Sequence, residues 1–396
     1  MSEAANPDLE HAIRADPSAV EPYLVYGDWL QSQGDPRGEL IAVQHQRAGE
    51  PDNEELRQAE QRLLQQNVAH FFGPPQPGAE GTGPDQKISW LGDAWAGAWR
   101  YGYMALVWRR GFVRKLRFDP GYYADDGGSE DGAGERCVAM LSRFLAHPSA
   151  RFIEEIVIGD IWADYSVAEG PDLGLAAAVI VESPVAPLLR LLEFVGGDHD
   201  ISGVMASAVP IWAACPRLER LALYAGSIDL GQVRHERLKS LVLCTGGLTT
   251  TEIKAVVDAE LPALEELELW FGDSYYGASG GIDDIRPILD GERFPGVRRL
   301  GLKNAEFSND ICQALPTARI LPQLEVLDLS MGTLDDEGAA AIVENKEAFA
   351  HLSYLDLSDS FLSEAIRGQL AGVCVNVATS GQKGGPDEDR YVSVGE

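Results

Sequence analysis

Along the second half of the chain, apolar residues return in one spacing: leucine, two residues, leucine, one residue, leucine. It runs through Leu218–Leu223, Leu238–Leu243, Leu264–Leu269, Val297–Leu302, Leu324–Leu329 and Leu352–Leu357. Looser copies stand at Val113–Phe118, Ile153–Ile158 and Leu189–Phe194. The last four positions of each phrase alternate as a strand does, with every second side chain on one face. Between phrases, helix-like periodicity recurs at Arg136–Ala146, Leu173–Val181, Thr250–Asp258, Ile282–Leu289, Asp310–Leu315, Asp335–Glu344 and Ser363–Leu370. The step from 218 to 238 leaves room for a turn only.

Such phrases, roughly 20 to 40 residues apart, are the signature of a leucine-rich repeat, in which each unit buries its apolar side against the next. The fold class expected is therefore α/β: a solenoid with one parallel sheet, with helices and turns on the convex side. Leu221, Leu241, Leu267, Leu300, Leu327 and Leu355 should stack as one buried ladder. Their neighbours then face the concave side, where large aromatics are enriched at protein-binding hot spots. This selects Tyr224, Glu266, Glu268, Trp270, Lys303, Asp328, Tyr354 and Asp356 as candidate partner-binding residues. The segment 271–281 interrupts the repeat with a tyrosine pair flanked by glycines, and adds Asp273, Tyr275 and Tyr276. Solenoid loops gathered on one side often carry binding.

Residues 1–72 read as a small all-α module. Asn6-Pro7, Asp16-Pro17 and Asp35-Pro36 each place a capping side chain before a proline suited to a first helical turn. Residues 73–87 are rich in proline and glycine, as a linker is. The array is expected over 88–378. Its aromatic start, with Trp90, Trp95, Trp99, Trp108 and Phe112, is read as a helix capping the first strand. Asp119–Glu135 is acidic and glycine-rich, which suits a loop or insert. Residues 379–396 are expected to leave the array as a polar tail.

Two stretches resemble known families. Tyr26-Gly27-Asp28-Trp29-Leu30 followed by Gly34-Asp35-Pro36-Arg37-Gly38-Glu39-Leu40-Ile41, with Ala12–Pro17 upstream, resembles the short repeat-companion domain found before leucine-rich repeats in some large-genome bacteria. Arg110-Gly111-Phe112-Val113 is similar to the segment joining that module to the repeats. Leu267–Gly277, Arg299–Asn304, Leu327–Gly338 and Arg390–Glu396 resemble an uncharacterised family of bacterial leucine-rich repeat proteins. The resemblances imply an intracellular bacterial interaction protein and bring no catalytic residue. The chain departs from the common repeat in one respect. Three residues after the last leucine, where asparagine is usual, it has Gly226, Gly246, Gly272, Ala305, Gly332 and Ser360.

Charge narrows the partners. Against 32 basic residues stand 62 acidic ones, a net −30, which repels nucleic acid and anionic membrane and favours a protein with a basic surface. Five scattered cysteines without CxxC spacing suit reduced core residues in the cytoplasm. The first ten residues lack a signal-peptide pattern, and no stretch approaches 18 apolar residues. No nucleophile, phosphate-loop or metal-ligand motif occurs, so no cofactor and no metal are expected. Asp198-His199-Asp200 is the one close histidine–carboxylate set and the place for an enzyme component, if there is one. The expected function is a non-catalytic scaffold or recognition subunit. The alternative is a sensor or regulatory subunit of a multi-protein stress or defence assembly.

Overall fold

The computed structural model describes residues 5–72, 89–91, 94–99, 102–119, 133–159, 173–195, 204–205, 207–384 and 390–395. The chain divides into two compact units, one of residues 1–159 with 178–191, the other of 160–177 with 192–396.

The first unit opens with five helices: α1 Pro7–Ala15, α2 Glu21–Ser32, α3 Pro36–Gly49, α4 Glu54–Gln66 and α5 Val68–Phe72. Side-chain caps start three of them. Asn6 accepts from the Leu9 N–H, Asp35 from Arg37 and Asn53 from Glu55 and Leu56. Asp16 behaves otherwise. It closes α1 and accepts from the Ser18 and Ala19 amides, so Asp16-Pro17 forms a turn rather than the helix start expected of it. α2 begins later, with Pro22 in its first turn.

The aromatic segment after 88 is not a helix. It forms antiparallel strands: β1 Ser89–Leu91, β2 Ala94–Trp99, β3 Gly102–Arg109 and β4 Phe112–Asp119, with β5 Glu155–Ile158 parallel to β4. Aromatic residues favour strands as well, and this segment is rich in them. α6, Ala133–Leu145, precedes β5.

The boundary expected at 72–88 is not where the chain divides, because the helices share one core with the strands. Ile13, Tyr23, Tyr26, Leu30 and Ile41 pack with Phe112, Phe152 and Leu188. The Arg37 side chain is 1% exposed at the centre. Its guanidinium lies 4.9 Å from the Phe112 ring centroid and 5.2 Å from that of Phe71, and donates to the Gly111 carbonyl at 2.8 Å and to Ser149 Oγ at 3.1 Å. Gly111 has φ +79°, and a Cβ there would come within 2.4 Å of Ile41 Cγ1, so both its conformation and its surroundings call for glycine. Its N–H donates to Gln44 at 2.6 Å. The two segments that carry the repeat-companion resemblance, around Arg37 and around Gly111, thus meet through hydrogen bonds to a strand-turn backbone.

The second unit is a repeat array. Its strands are β6 Leu191–Phe194, β7 Val204–Met205, β8 Arg220–Tyr224, β9 Ser227–Ile228, β10 Ser240–Cys244, β11 Glu266–Gly272, β12 Arg299–Ala305, β13 Val326–Asp328, β14 Tyr354–Asp356 and β15 Val377–Ala378. Apart from the β7–β9 pair they follow one another in sequence order across the sheet, and from β8 to β15 every neighbouring pair is parallel. Leu221, Leu241, Leu267, Leu300, Leu327 and Leu355 are paired in register and buried, so the expected ladder forms. The seven helix-like segments are helical to within a few residues, and 225–239 holds only the two-residue β9 and turns.

The missing asparagines are replaced by small residues that let successive turns touch backbone to backbone. Gly272 has φ +82°, and a Cβ on it would lie 1.8 Å from the Gly246 carbonyl oxygen. The Asp273 N–H donates to that oxygen at 2.7 Å, and Leu248 donates to Phe271 at 2.7 Å. The Ala305 carbonyl accepts from Ser308 Oγ at 2.6 Å and from the Thr333 N–H at 3.1 Å. Polar groups at these turns are satisfied within the protein, as buried groups must be.

Residues 379–384 and 390–395 do not leave the array. Ser380 accepts from the Asp359 amide at 2.9 Å, and Val392 and Val394 are buried. The expectation of a departing tail rested on its polar start, whereas the two valines near its end are apolar residues that the fold buries.

Candidate functional site

The candidate surface is the face of the array opposite the leucine ladder. Strand pairing puts Arg220, Ser240, Glu266, Arg299, Val326 and Tyr354 in one row across the sheet. A second row runs through Ala222, Val242, Glu268, Gly301, Asp328 and Asp356. In a third, Tyr224 pairs with Cys244, and Trp270 with Lys303.

At the centre, Tyr224 and Trp270 meet edge to face with ring centroids 6.0 Å apart, both packed on buried Ala222, Val242 and Cys244. Trp270 is thus an anchored half-buried aromatic, with its Nε1–H donating to Glu268 at 2.6 Å. Lys303 Nζ lies 5.0 Å from the Trp270 ring centroid, 3.5 Å from Glu268 and 3.1 Å from Asp328. Burial alone would lower the Lys303 pKa, but the two carboxylates outweigh it and hold the ammonium above its usual range. Burial first, then the adjacent Cys244 thiol and the Glu268 charge, raise Tyr224, so its hydroxyl stays protonated. Cys244 is raised too, chiefly by burial, and is no thiolate nucleophile.

Charge on this face is largely paired. Arg220 joins Glu193 at 2.6 Å to Glu266 at 2.8 Å, and Ser240 Oγ donates to Glu266 at 2.6 Å. Glu193 was not among the residues expected on this face, and it becomes legible only once the strand register is known. Tyr354 donates to Asp356 at 3.0 Å. Gly301 leaves a shallow depression of about 190 Å³, lined by Glu266, Glu268, Arg299, Val326 and Asp328.

Asp273, Tyr275 and Tyr276 form a separate group in the loop after β11. Asp273 caps the short 3-10 turn Ser274–Tyr276 by accepting from the Tyr275 N–H at 2.7 Å. The loop is pinned: Ser274 donates through N–H and Oγ to Glu306 at 3.1 and 3.2 Å, and Ser279 donates to the Leu248 carbonyl at 3.3 Å. Tyr275 is 86% exposed and Tyr276 39%. Their rings meet at 90° with centroids 5.1 Å apart.

Asp198-His199-Asp200 lies outside the described residues, as does the 73–87 linker. Among the described residues there is no cluster of three or more histidine, cysteine or carboxylate side chains placed to hold a metal ion. No helix among them is long and apolar enough to cross a membrane.

In-register parallel strands, a buried leucine ladder and helices or turns between strands define a leucine-rich repeat fold, preceded here by helices. The sequence matches no protein-family model and no curated protein. Among solved structures the chain is similar to a Bacteroides fragilis protein determined by a structural genomics consortium. That match has a TM-score of 0.58 and 22% identity over 76% of this chain and 95% of the other, a likeness of fold. It also matches an internalin from Listeria monocytogenes at TM-score 0.32, with 15% identity over 63% of this chain and 71% of that one. The protein of a TLR13–ssRNA13 complex matches at TM-score 0.33, with 16% identity over 67% and 33%.

Proposed function

We propose that this chain is a non-catalytic interaction subunit that holds a partner protein on the outward strand face of its repeats. The observation that supports this reading best is the partly exposed Tyr224–Trp270–Lys303 cluster, mostly buried but open on one side, on a sheet whose other face is a closed leucine core. Aromatics seated on packed supports give large contact area at little entropic loss, as binding hot spots do. Because Arg220 and Lys303 already neutralise much of the local acid, close-range recognition rests on the aromatics. The net −30 acts at longer range, steering a basic protein surface and opposing nucleic acid. The free thiols of Cys215, Cys244, Cys312 and Cys374 suit a reducing, cytoplasmic setting in a bacterial cell.

The test is capture of the native partner with the wild-type chain as bait, followed by affinity measurement with variants. Trp270→Ala is expected to weaken binding by about 1–2 kcal/mol or more, a hot-spot-sized loss. Glu268→Lys should slow association most at low salt. Folded variants that bind as the wild type does would remove the strand face from consideration.

A further inference from the structure

Residues 390–395 lie against the end of β12 and the loops that follow β11 and β13, and they are held largely through their backbone. Asn304 is fully buried, with φ +54°, and its amide holds the backbone of Val394 on both sides. Nδ2 donates to the Val394 carbonyl at 2.7 Å, and Oδ1 accepts from the Val394 N–H at 2.9 Å. The Ser393 N–H donates to the Met331 carbonyl at 2.8 Å, and Lys383 Nζ donates to the Tyr391 carbonyl at 2.9 Å. Arg390 pairs with Asp335 at one end. At the other, Gly395 lies against the Tyr276 ring, where a Cβ would come within 2.4 Å of Cε2.

These contacts read main chain far more than side chain. A buried asparagine amide that gives one donor and one acceptor to a single residue's backbone selects for backbone shape rather than for side-chain identity at that residue. The side-chain demands are few: apolar residues at the two positions of Val392 and Val394, 5% and 2% exposed, and a residue without Cβ after them. The native occupant is not the best possible one. The Ser393 hydroxyl oxygen is buried without a hydrogen-bond partner, a defect that alanine would not have.

We propose that this surface is a binding site for a peptide segment of the pattern apolar–small–apolar–glycine, bent at its small residue and filled here by the chain's own residues 390–395. As a tethered occupant these residues compete at high effective concentration, so a partner segment binds only by displacing them. This site is distinct from the strand face and does not depend on it.

The experiment replaces 385–389 by a specific protease site in the full chain, which is cut after folding and dialysed. The probe is a fluorescent synthetic peptide of residues 390–396, followed by anisotropy. Saturable binding to the cut protein, at least tenfold tighter than to the uncut one, is expected. A peptide N-methylated at Val394 should lose at least tenfold in affinity, since it lacks the N–H that Asn304 accepts. The Ser393→Ala peptide should bind several-fold more tightly. The N-methyl probe leaves the protein unaltered, so folding of a variant is not at issue. Absence of binding to the cut protein after a day, equal binding to cut and uncut protein, or full affinity of the N-methyl peptide would each overturn the proposal.

Discussion

In the first unit the buried guanidinium of Arg37 organises the backbone around it. In the second, repetition of an apolar ladder does that work. Arg37 is surrounded by Phe71, Phe112 and the Gly111 carbonyl, and each contact is made once. The leucine ladder repeats one contact between five successive pairs of strands, and its turns rest on glycine, alanine and serine stacked against the preceding turn. The difference concerns tolerance. A defect in the array is shared with neighbouring repeats through similar interfaces. A defect at Arg37 leaves several groups unsatisfied at once, in surroundings with no second copy.

The sharpest way to break that contrast is Arg37→Ala. It strands the Gly111 carbonyl and opens a void between two aromatic rings, and should lower stability by about 3–5 kcal/mol, the sum of an unsatisfied buried acceptor and a large core truncation. Urea denaturation followed by tryptophan fluorescence measures it. A loss under about 1 kcal/mol would mean that Arg37 behaves as a surface residue does. Leu327→Ala comes next, at about 2–5 kcal/mol for a fully packed core truncation. It should fall below the Arg37 value wherever neighbouring repeats relax into the space. If it exceeds that value, the array is the more brittle of the two.

Much of this was legible in the sequence, and what was not has physical causes. The leucine phrase carries both strand position and facing, because its alternation has only one register that buries all six leucines. Helices between phrases follow from their own periodicity. The 89–109 region misled because aromatic density was taken for a helical cap, although aromatic residues favour strands as well. Asp16 misled because an Asp-Pro pair starts a turn as readily as a helix. The candidate face could be named residue by residue, yet the pairing of Glu193 with Arg220 required knowing which strands are neighbours. Asn304 was hidden for a related reason. It stands one position before the place where repeat asparagines are sought, and its partner Val394 is 90 residues away.

The smallest effect expected is one of pH, and it separates the units most cleanly. His147 caps the short turn Pro148–Ala150 by accepting from the Ser149 N–H through Nδ1 at 3.2 Å. Protonation would turn that acceptor into a donor. Burial, then the charges of Arg37, His70 and Arg151, lower its pKa from 6.5 to about 4. Between those values the unfolded chain binds the proton and the folded chain does not. Stability from this group is therefore complete above pH 6.5 and declines as pH falls toward 4, by at most about 1.4 kcal/mol per pH unit for one proton. In the repeats, burial raises the thiols of Cys215, Cys244 and Cys312 and the hydroxyl of Tyr224, and Lys303 and Arg220 are raised too. Lys383 is lowered only to about 8, and the lowered Asp258 titrates below the window. His147→Asn keeps the capping acceptor without the titration. The wild type should lose stability relative to this variant between pH 6.5 and 4, with the two curves parallel above pH 7. Parallel curves throughout would show that His147 is protonated in the folded protein at the same pH as in the unfolded chain, and that the first unit draws no more on a titratable group than the repeats do.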